Sequence, residues 1–225
     1  MSGYYIVRQG DHVTRIAISC GFIDWSPVWN APENADLRSK RTSPDVLMPG
    51  DSLYVPDLQT KELSAATDQA HKYKLGHKPL NLRIKILDRF SDCLSSTDCD
   101  FRVGADSKNI STDSAGGLEH PLTLQQRMAS DGSLQFQEPL VVNQQNLVRT
   151  VQIPLQLGQI DPVDQVSGQL KRLKNLGYYP SVQEDDPDAK LFQAAIEEFQ
   201  CENNLTVDGI CGPQTQARLK AVYGC

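Results

Sequence analysis

The chain has 225 residues, a formal net charge of −6 at pH 7 and 39% hydrophobic residues. An acidic chain without a dense run of lysine and arginine lacks the basic face that neutralises phosphates, which excludes a nucleic-acid partner. No stretch approaches the roughly 20 apolar residues of a membrane helix, so no membrane span is expected. The length suits two or three small domains with separate cores.

The first segment predicts a strand followed by a helix. Tyr5–Arg8 alternates in side-chain character as a short β-strand does, and Gly10 with Asp11 forms a turn. Val13 and Ile16 then begin an apolar repeat at helical spacing.

A second short helix and a return strand follow. Residues 24–30 are predicted to form the helix. Pro27 is compatible with this prediction, because proline is tolerated in a first helical turn. Residues 48–56 contain a turn, a strand and a terminating proline. Between these two elements lies a charged insert, residues 31–41, which is typical of a solvated face.

The order strand, helix, helix, strand resembles a LysM module, the small βααβ domain that binds polymers containing N-acetylglucosamine. The resemblance rests on the opening Tyr5-x-Val7-x-x-Gly10-Asp11, the pair Ile16-Ala17, the pair Trp29-Asn30, and the closing Pro49-Gly50-Asp51-x-Leu53-x-Val55-Pro56.

In LysM modules the sugar lies in a shallow groove between the loop after the first strand and the loop before the last. The resemblance implies backbone hydrogen bonds to N-acetyl groups above an apolar floor. The glycan-binding residues it implies here are Gly10, Asp11, His12, Val13, Asn30, Leu47, Met48 and Pro49. The insert at residues 31–41 departs from the family and is expected to extend a helix and crowd this groove. For Trp25 and Trp29, core packing is favoured over sugar stacking.

The middle of the chain predicts a linker and a β-rich spacer. Residues 58–76 are mostly polar and form the linker, while residues 77–160 form the spacer domain. Four regions read as strand or strand–turn–strand, at residues 80–88, 100–103, 110–118 and 147–157. Together they predict a small antiparallel β-sandwich. The Gln-rich residues 122–146 yield no prediction.

The turn at residues 112–117 is similar to one in transthyretin-like and other immunoglobulin-like spacer domains. That local resemblance implies a spacer or protein-docking role for residues 77–160.

The last part, residues 161–225, predicts three helices. Apolar residues repeat at helical spacing over residues 164–176, where Gly177 ends the helix, and again over residues 188–200. Pro213 starts the third helix after a glycine-punctuated turn. The chain as a whole is therefore predicted to be an α+β multidomain protein, with its first module spanning residues 1–57.

This last part resembles the three-helix peptidoglycan-binding domain found at the ends of many wall hydrolases. The resemblance is carried by Leu173-x-x-Leu176-Gly177-Tyr178, by Ala195-Ile196-x-x-Phe199-Gln200, and by Asn204-Leu205-x-Val207-Asp208-Gly209-x-x-Gly212-Pro213-x-Thr215. It implies a groove lined by Tyr178, Tyr179 and Gln200. Phe199 is favoured as core, and Asp208 and Thr215 as turn or capping residues.

Six cysteines show no metal-ligand spacing. Cys93 with Cys99, and Cys201 with Cys211, flank loops that a disulfide would close in an oxidising compartment, while free thiols in a reducing cytosol fit equally well. Both alternatives stay open.

No constellation for catalysis is recognisable. His71, His77 and His120 lie in the middle region without a zinc signature, and no nucleophile elbow is present. The sequence thus predicts a non-enzyme with no catalytic residues, no bound metal and no cofactor.

Two functions remain. The first is a non-catalytic peptidoglycan-binding protein, accessory to a type VI secretion system or a related contractile injection machine, since chains with this order of modules look similar to proteins associated with such machines. The alternative is a structural adaptor or chaperone that docks an effector or spike protein through modules that no longer bind glycan. Because Met1–Gly3 runs straight into the first strand, the chain is expected to be made in the cytoplasm without a signal peptide and delivered to the periplasm or outside by the machine.

Overall fold

The computed structural model describes residues 2–59, 62, 64–72, 80–88, 92–142, 144–179 and 189–225. These residues combine six α-helices with antiparallel sheets, in agreement with the predicted α+β class. The chain divides into two compact units, one formed by Met1–Leu58 together with Gly158–Cys225 and the other by Gln59–Leu157. The finer boundaries near residues 57, 76 and 160 stay predictions. None of the helices in the described ranges has both the length and the apolar character needed to cross a membrane.

The first unit opens with a two-stranded sheet and three helices. In chain order these are β1 (Gly3–Ile6), α1 (Val13–Ser19), α2 (Ser26–Trp29), α3 (Ala35–Lys40) and β2 (Ser52–Val55). β1 and β2 pair antiparallel, with Tyr4 opposite Tyr54. The helices and strands expected here are present, shifted by a few residues at their ends.

Helix α3 arises from the charged insert. Leu37 is buried against the core formed by α1, α2 and β2, which gives the insert an apolar anchor. Arg38 then donates from Nη1 to the carbonyl oxygens of Trp29 at 2.6 Å and Ala31 at 2.8 Å, so the end of α2 is tied to α3. Trp29 itself is only 8% exposed and Trp25 packs beside the same core, as the core-packing alternative expects.

The second unit contains two antiparallel sheets around one core. Its strands are β3 (Leu80–Lys85), β4 (Asp98–Val103), β5 (Asp106–Ser111), β6 (Gly117–Leu122), β7 (Asp131–Val142) and β8 (Gln145–Gln156). β3 pairs with β6, and the other sheet has the order β5-β4-β7-β8. Phe101 and Leu134 from the larger sheet share a core with Leu118 and Leu122 from the smaller one. The predicted strands are confirmed, and β7 fills much of the Gln-rich region that gave no prediction.

The turn between β5 and β6 depends on one carboxylate and one glycine. Asp113 Oδ1 accepts from the backbone N–H groups of Ala115 at 2.8 Å and Gly117 at 2.7 Å. Gly116 has φ +73°, and a Cβ there would lie 2.7 Å from the carbonyl oxygen of Ile86. Only glycine fits that position without backbone movement.

The C-terminal part of the first unit has three helices, α4 (Val166–Asn175), α5 (Ala189–Glu202) and α6 (Pro213–Tyr223). Their shared core includes Leu173, Phe199 and Leu219, each no more than 1% exposed. All three predicted helices are confirmed, and Gly177 follows α4 with φ +93° as a terminating glycine should. Val166, which the helical pattern places with the core, is instead 54% exposed.

A buried arginine ties together the two ends of this helical domain. Arg172 is 1% exposed, and its Nε donates to the carbonyl oxygen of Cys225 at 3.0 Å while Nη1 donates to that of Asp161 at 2.7 Å. The guanidinium also lies 5.6 Å from the centre of the Tyr223 ring. Burial lowers the pKa of Arg172, because the charged form loses hydration there.

Candidate functional site

Gln200 organises the turn between α5 and α6. It is 1% exposed, and its Nε2 lies within hydrogen-bonding distance of Asp208 Oδ1 at 2.8 Å, Ile210 O at 3.0 Å and Thr215 Oγ1 at 3.0 Å. Its Oε1 accepts from the N–H groups of Asp208 and Gly209, both at 3.0 Å. Both ends of the amide are thus engaged within the domain, beneath the surface.

Asp208 and Gly209 complete that turn. The pKa of the Asp208 carboxyl lies below its usual range. The larger cause is the hydrogen bond from the backbone N–H of Ile210, and the next is the hydrogen bond from the amide of Gln200. Gly209 has φ +68°, and a Cβ there would lie 2.6 Å from Cγ of Gln193. These contacts agree with the turn roles expected for Asp208 and Gly209.

Tyr178 reaches the surface beside this turn. Its ring packs edge-on against Phe199 at 5.4 Å between centroids, and its hydroxyl donates to Glu202 Oε2 at 2.7 Å. The pKa of Tyr178 is raised to about 12. Desolvation by burial is the largest cause, and the hydrogen bond to Glu202 is the next largest. The hydroxyl is therefore protonated at neutral pH and held in one direction.

Two further polar side chains continue the same surface. Asn203 Oδ1 accepts from Arg218 Nε at 2.8 Å, and Asn203 Nδ2 donates to the carbonyl oxygen of Phe199 at 2.9 Å. The Asn203 side chain also acts on Tyr178, where it lowers the pKa of the hydroxyl and so opposes Glu202. We name the surface made of Tyr178, Glu202, Asn203 and Arg218 the Tyr178 patch. It places a carboxylate and a guanidinium, both on exposed residues, beside an aromatic ring.

The sequence did not single out Glu202, Asn203 or Arg218. The signal for the first two was their spacing, because residues three and four positions after Phe199 on a helix lie on the same face as that ring. Arg218 carried no such signal, since its contact with Asn203 joins two helices.

Tyr179 differs from its neighbour. It is 3% exposed and belongs to the helical core, and its hydroxyl has no hydrogen-bond partner among the described residues. Its predicted contact with glycan stays a prediction, as does that of Gln200, which is equally enclosed. Of the three predicted residues, only Tyr178 belongs to the surface patch.

The predicted site residues of the first module fall into two groups. Val13 and Leu47 are core residues, 0% and 4% exposed, and His12 is 5% exposed. Asn30 and Pro49 are exposed, with Asp11 and Met48 half-buried. Four of the predicted residues are thus at least partly accessible, whereas Val13, Leu47 and His12 are enclosed.

The loop before α1 has specific internal contacts. His12 Nδ1 accepts from the N–H of Arg15 at 3.3 Å and so caps the helix. Asp11 Oδ2 accepts from the Tyr5 hydroxyl and from the N–H of Arg8, both at 2.9 Å. On this loop, His12 is therefore a capping residue and Asp11 is a turn residue.

A segment from the C-terminal part of the same unit lies against this loop. A Cβ at Gly158, where φ is +71°, would lie 2.8 Å from His12 Cδ2 and 3.1 Å from the carbonyl oxygen of Gly10. Lys171 Nζ donates to the carbonyl oxygen of Gln159 at 2.9 Å and holds the segment on α4. Gly10 is buried here, although the LysM resemblance implied that it lies on an open groove.

The cysteines and the possible metal ligands are further candidate groups that the structure describes. All six cysteines are free thiols in this structure, with Cys99 fully buried and Cys93 exposed. Within the described ranges, no cluster of three or more His, Cys, Asp or Glu side chains is arranged to hold a metal ion. The predicted His77 lies outside the described residues.

Comparison with known families identifies the helical part of the chain. Residues 162–219 match a family model described as a peptidoglycan binding domain. The match covers α4, α5 and most of α6, which is less than half of the chain. No curated protein and no solved structure matches the chain at the significance required. The C-terminal helical module is accordingly supported as a peptidoglycan-binding domain.

Proposed function

We propose that this protein binds peptidoglycan through its C-terminal helical domain and that the Tyr178 patch contacts the polymer. The family match over residues 162–219 is the observation that carries the proposal. The patch lies entirely on elements of that domain, at the end of α4, the end of α5 and the exposed side of α6.

The chemistry of the patch suits a polymer of acetylated sugars cross-linked by short peptides. Arg218 offers a guanidinium, which pairs with carboxylates in planar geometry, and Glu202 offers a carboxylate for ammonium groups. The Tyr178 ring offers an apolar surface with a fixed polar tip. We infer that the peptide part of the polymer meets Arg218 and Glu202 while a sugar face lies near Tyr178.

Co-sedimentation with insoluble sacculi tests this assignment. The full chain should pellet with the wall, and Tyr178→Ala and Arg218→Ala should each lower the bound fraction severalfold. Arg83→Ala provides a matched control, because Arg83 is exposed on β3 in the other unit. If the two patch variants pellet like the wild type, the patch assignment is wrong. If the wild type stays in the supernatant, wall binding itself is wrong.

For the first module we propose a LysM-like role in glycan binding. The observed order β1, α1, α2, α3, β2 supports it, and Asn30, Met48 and Pro49 are predicted residues that remain at least partly accessible. Titration of the full chain with soluble N-acetylglucosamine oligomers should then shift the NMR signals of these three residues. Unchanged signals at saturating oligomer would contradict a glycan role for this module.

The second candidate is a structural adaptor in which this module contacts protein. It is favoured because Gly158 and Gln159 cover the first loop.

We propose that, whichever candidate is correct, the protein is an accessory of a type VI secretion system or a related contractile machine. The second unit then serves as a sandwich-like spacer. Affinity capture on the purified spike and effector proteins of such a machine tests the association. Failure of all of them to retain the chain would count against it.

A further inference from the structure

The outer edge of β8 is the longest exposed strand edge that the structure describes. In the order β5-β4-β7-β8, β8 pairs with β7 along its whole length, from Gln156 opposite Asp131 to Gln145 opposite Val142. Among the described strands it has no neighbour on its other side. Alternate residues of this twelve-residue strand therefore offer backbone hydrogen-bonding groups along its open side.

Apart from Pro154, this edge carries little of the protection that isolated edges have. Arg149 is its one charged residue, and that charge is already paired with Glu138, to which Nε donates at 2.9 Å. Leu147, Val148 and Ile153 are 47%, 68% and 36% exposed. Native sheets normally shield such edges with charges, bulges or short strands, as the six-residue β5 does with Asp106 and Lys108 on the opposite edge.

The direction of the free amides follows from Pro154. A proline has no N–H to donate, and within sheets its nitrogen lies on the side away from the ladder. Alternate residues of a strand share that direction, so the N–H groups of Val148, Thr150 and Gln152 point outward. Three evenly spaced donors and their carbonyl acceptors thus lie on the open side of β8.

We propose that a second copy of this chain occupies this edge, with the two β8 strands paired antiparallel about a two-fold axis at Thr150. Counting outward from that axis, Arg149 lies opposite Val151 of the second copy and Val148 lies opposite its Gln152. Leu147 lies opposite its Ile153, so two exposed apolar side chains cover each other on both sides of the axis.

Other registers are less favourable. An axis at Arg149 would set two guanidinium groups directly opposite each other, which is destabilising. With the axis at Val148, Val151 or Gln152, Leu147 of one copy no longer lies opposite Ile153 of the other. The sequence of β8 is therefore self-complementary in one register, and a two-fold interface of this kind pairs both β8 edges and leaves only the short β5 edges of this sheet.

The dimer does not depend on wall binding, and sedimentation velocity of the full chain tests it. The wild type should form a dimer that dissociates on dilution. Thr150→Arg should raise the dissociation constant by roughly tenfold or more, because the two introduced guanidinium groups would then lie directly opposite each other at the axis. Asn109→Arg on β5 is the matched control, since it adds the same charge to an exposed position on the opposite edge, and its dissociation constant should equal that of the wild type.

Hydrogen exchange locates the contact. The amides of Val148, Thr150 and Gln152 should be protected at high concentration and lose that protection on dilution, and circular dichroism should show both variants folded. A wild type that stays monomeric up to about 100 µM would overturn the proposal. So would equal weakening by Thr150→Arg and Asn109→Arg, or a dimer in which these three amides exchange alike at every concentration.

Discussion

The side chain of Asn34 pairs with the backbone of Tyr54 as a neighbouring strand would. Its Oδ1 accepts from the N–H of Tyr54 at 2.8 Å, and its Nδ2 donates to the carbonyl oxygen of Tyr54 at 2.8 Å and to that of Val28 at 2.7 Å. Asn34 is 1% exposed. One amide therefore joins β2 to the end of α2 across the interior of the first module.

Asn34→Ala should destabilise the first unit by about 2–4 kcal/mol, because it leaves buried backbone groups of Tyr54 and Val28 without partners. Urea unfolding monitored by tryptophan fluorescence measures the change, since Trp25 and Trp29 both pack with the core of this module. Asn81→Ala is the control, because the hydrogen bond from Asn81 to Glu119 is exposed and costs little to lose. Equal midpoints for the two variants would contradict the role given to Asn34.

Gln200→Ala should lower the stability of the helical domain by about 3 kcal/mol. It removes the partner of the N–H groups of Asp208 and Gly209 and leaves Thr215, itself 5% exposed, without the amide it contacts. Gln193→Ala deletes a matching amide at an exposed position and should cost less than about 1 kcal/mol. Thermal unfolding of the two variants makes the comparison, and a smaller loss for Gln200→Ala would refute the account of the turn.

Gly158→Ala should move the segment at Gly158 and Gln159 away from the loop that it covers before α1. Alanine is strained at φ +71°, and its Cβ would press on His12 and on the carbonyl oxygen of Gly10. Gly177→Ala shares the strain of a positive φ, here +93°, but meets no atom within 4 Å. The Gly158 variant should therefore lose at least about 1 kcal/mol more than the control. Faster amide exchange at Gly10 and His12 in that variant alone would confirm the contact.

The cysteines should differ in reactivity with pH. Burial raises the pKa of the Cys211 thiol to about 11, so at pH 8 only about one molecule in a thousand carries its thiolate. Cys201 is exposed in the same domain and should be alkylated first. The rate at Cys211 should climb as the pH rises towards 11, because deprotonation supplies the nucleophile.

Mass spectrometry after timed treatment with iodoacetamide follows both sites. The unfolded chain is the control, in which the two rates should converge. Similar rates in the folded protein at pH 8 would contradict the burial argument, and two unreactive sites would point to a disulfide between them.

Local pattern was sufficient to predict most of the elements. Apolar residues at helical spacing predicted α4, α5 and α6, and alternation predicted β3, because each of these elements packs one face on a core. Residues 147–157, which contain most of β8, were predicted as a strand from their strand-like character. β7 has only a short alternation, at Leu134 and Phe136, on which no prediction rested. Its sequence is rich in glutamine and includes Pro139, and it is a strand because β4 and β8 both pair with it.

Predictions about the site were weaker because they depended on tertiary contacts. Tyr178 was predicted and reaches the surface, whereas Gln200 looks polar in sequence and is enclosed by the turn that it holds. Gly10 was predicted at an open groove, but a segment almost 150 residues later in the chain lies against it. Spacing along the chain carries no information about that approach.

The hydrogen bonds within the Tyr178 patch have a thermodynamic consequence for any ligand. Glu202 holds Tyr178, and Asn203 holds Arg218, before anything binds, and Gln200 fixes the turn beside them. The rotamer entropy that flexible side chains surrender on association has thus been lost during folding. Binding of a ligand to this preorganised surface should therefore cost little conformational entropy. Removal of the hydrogen bonds of Asn203 should weaken ligand binding through this entropy, while the contacts to the ligand are unchanged.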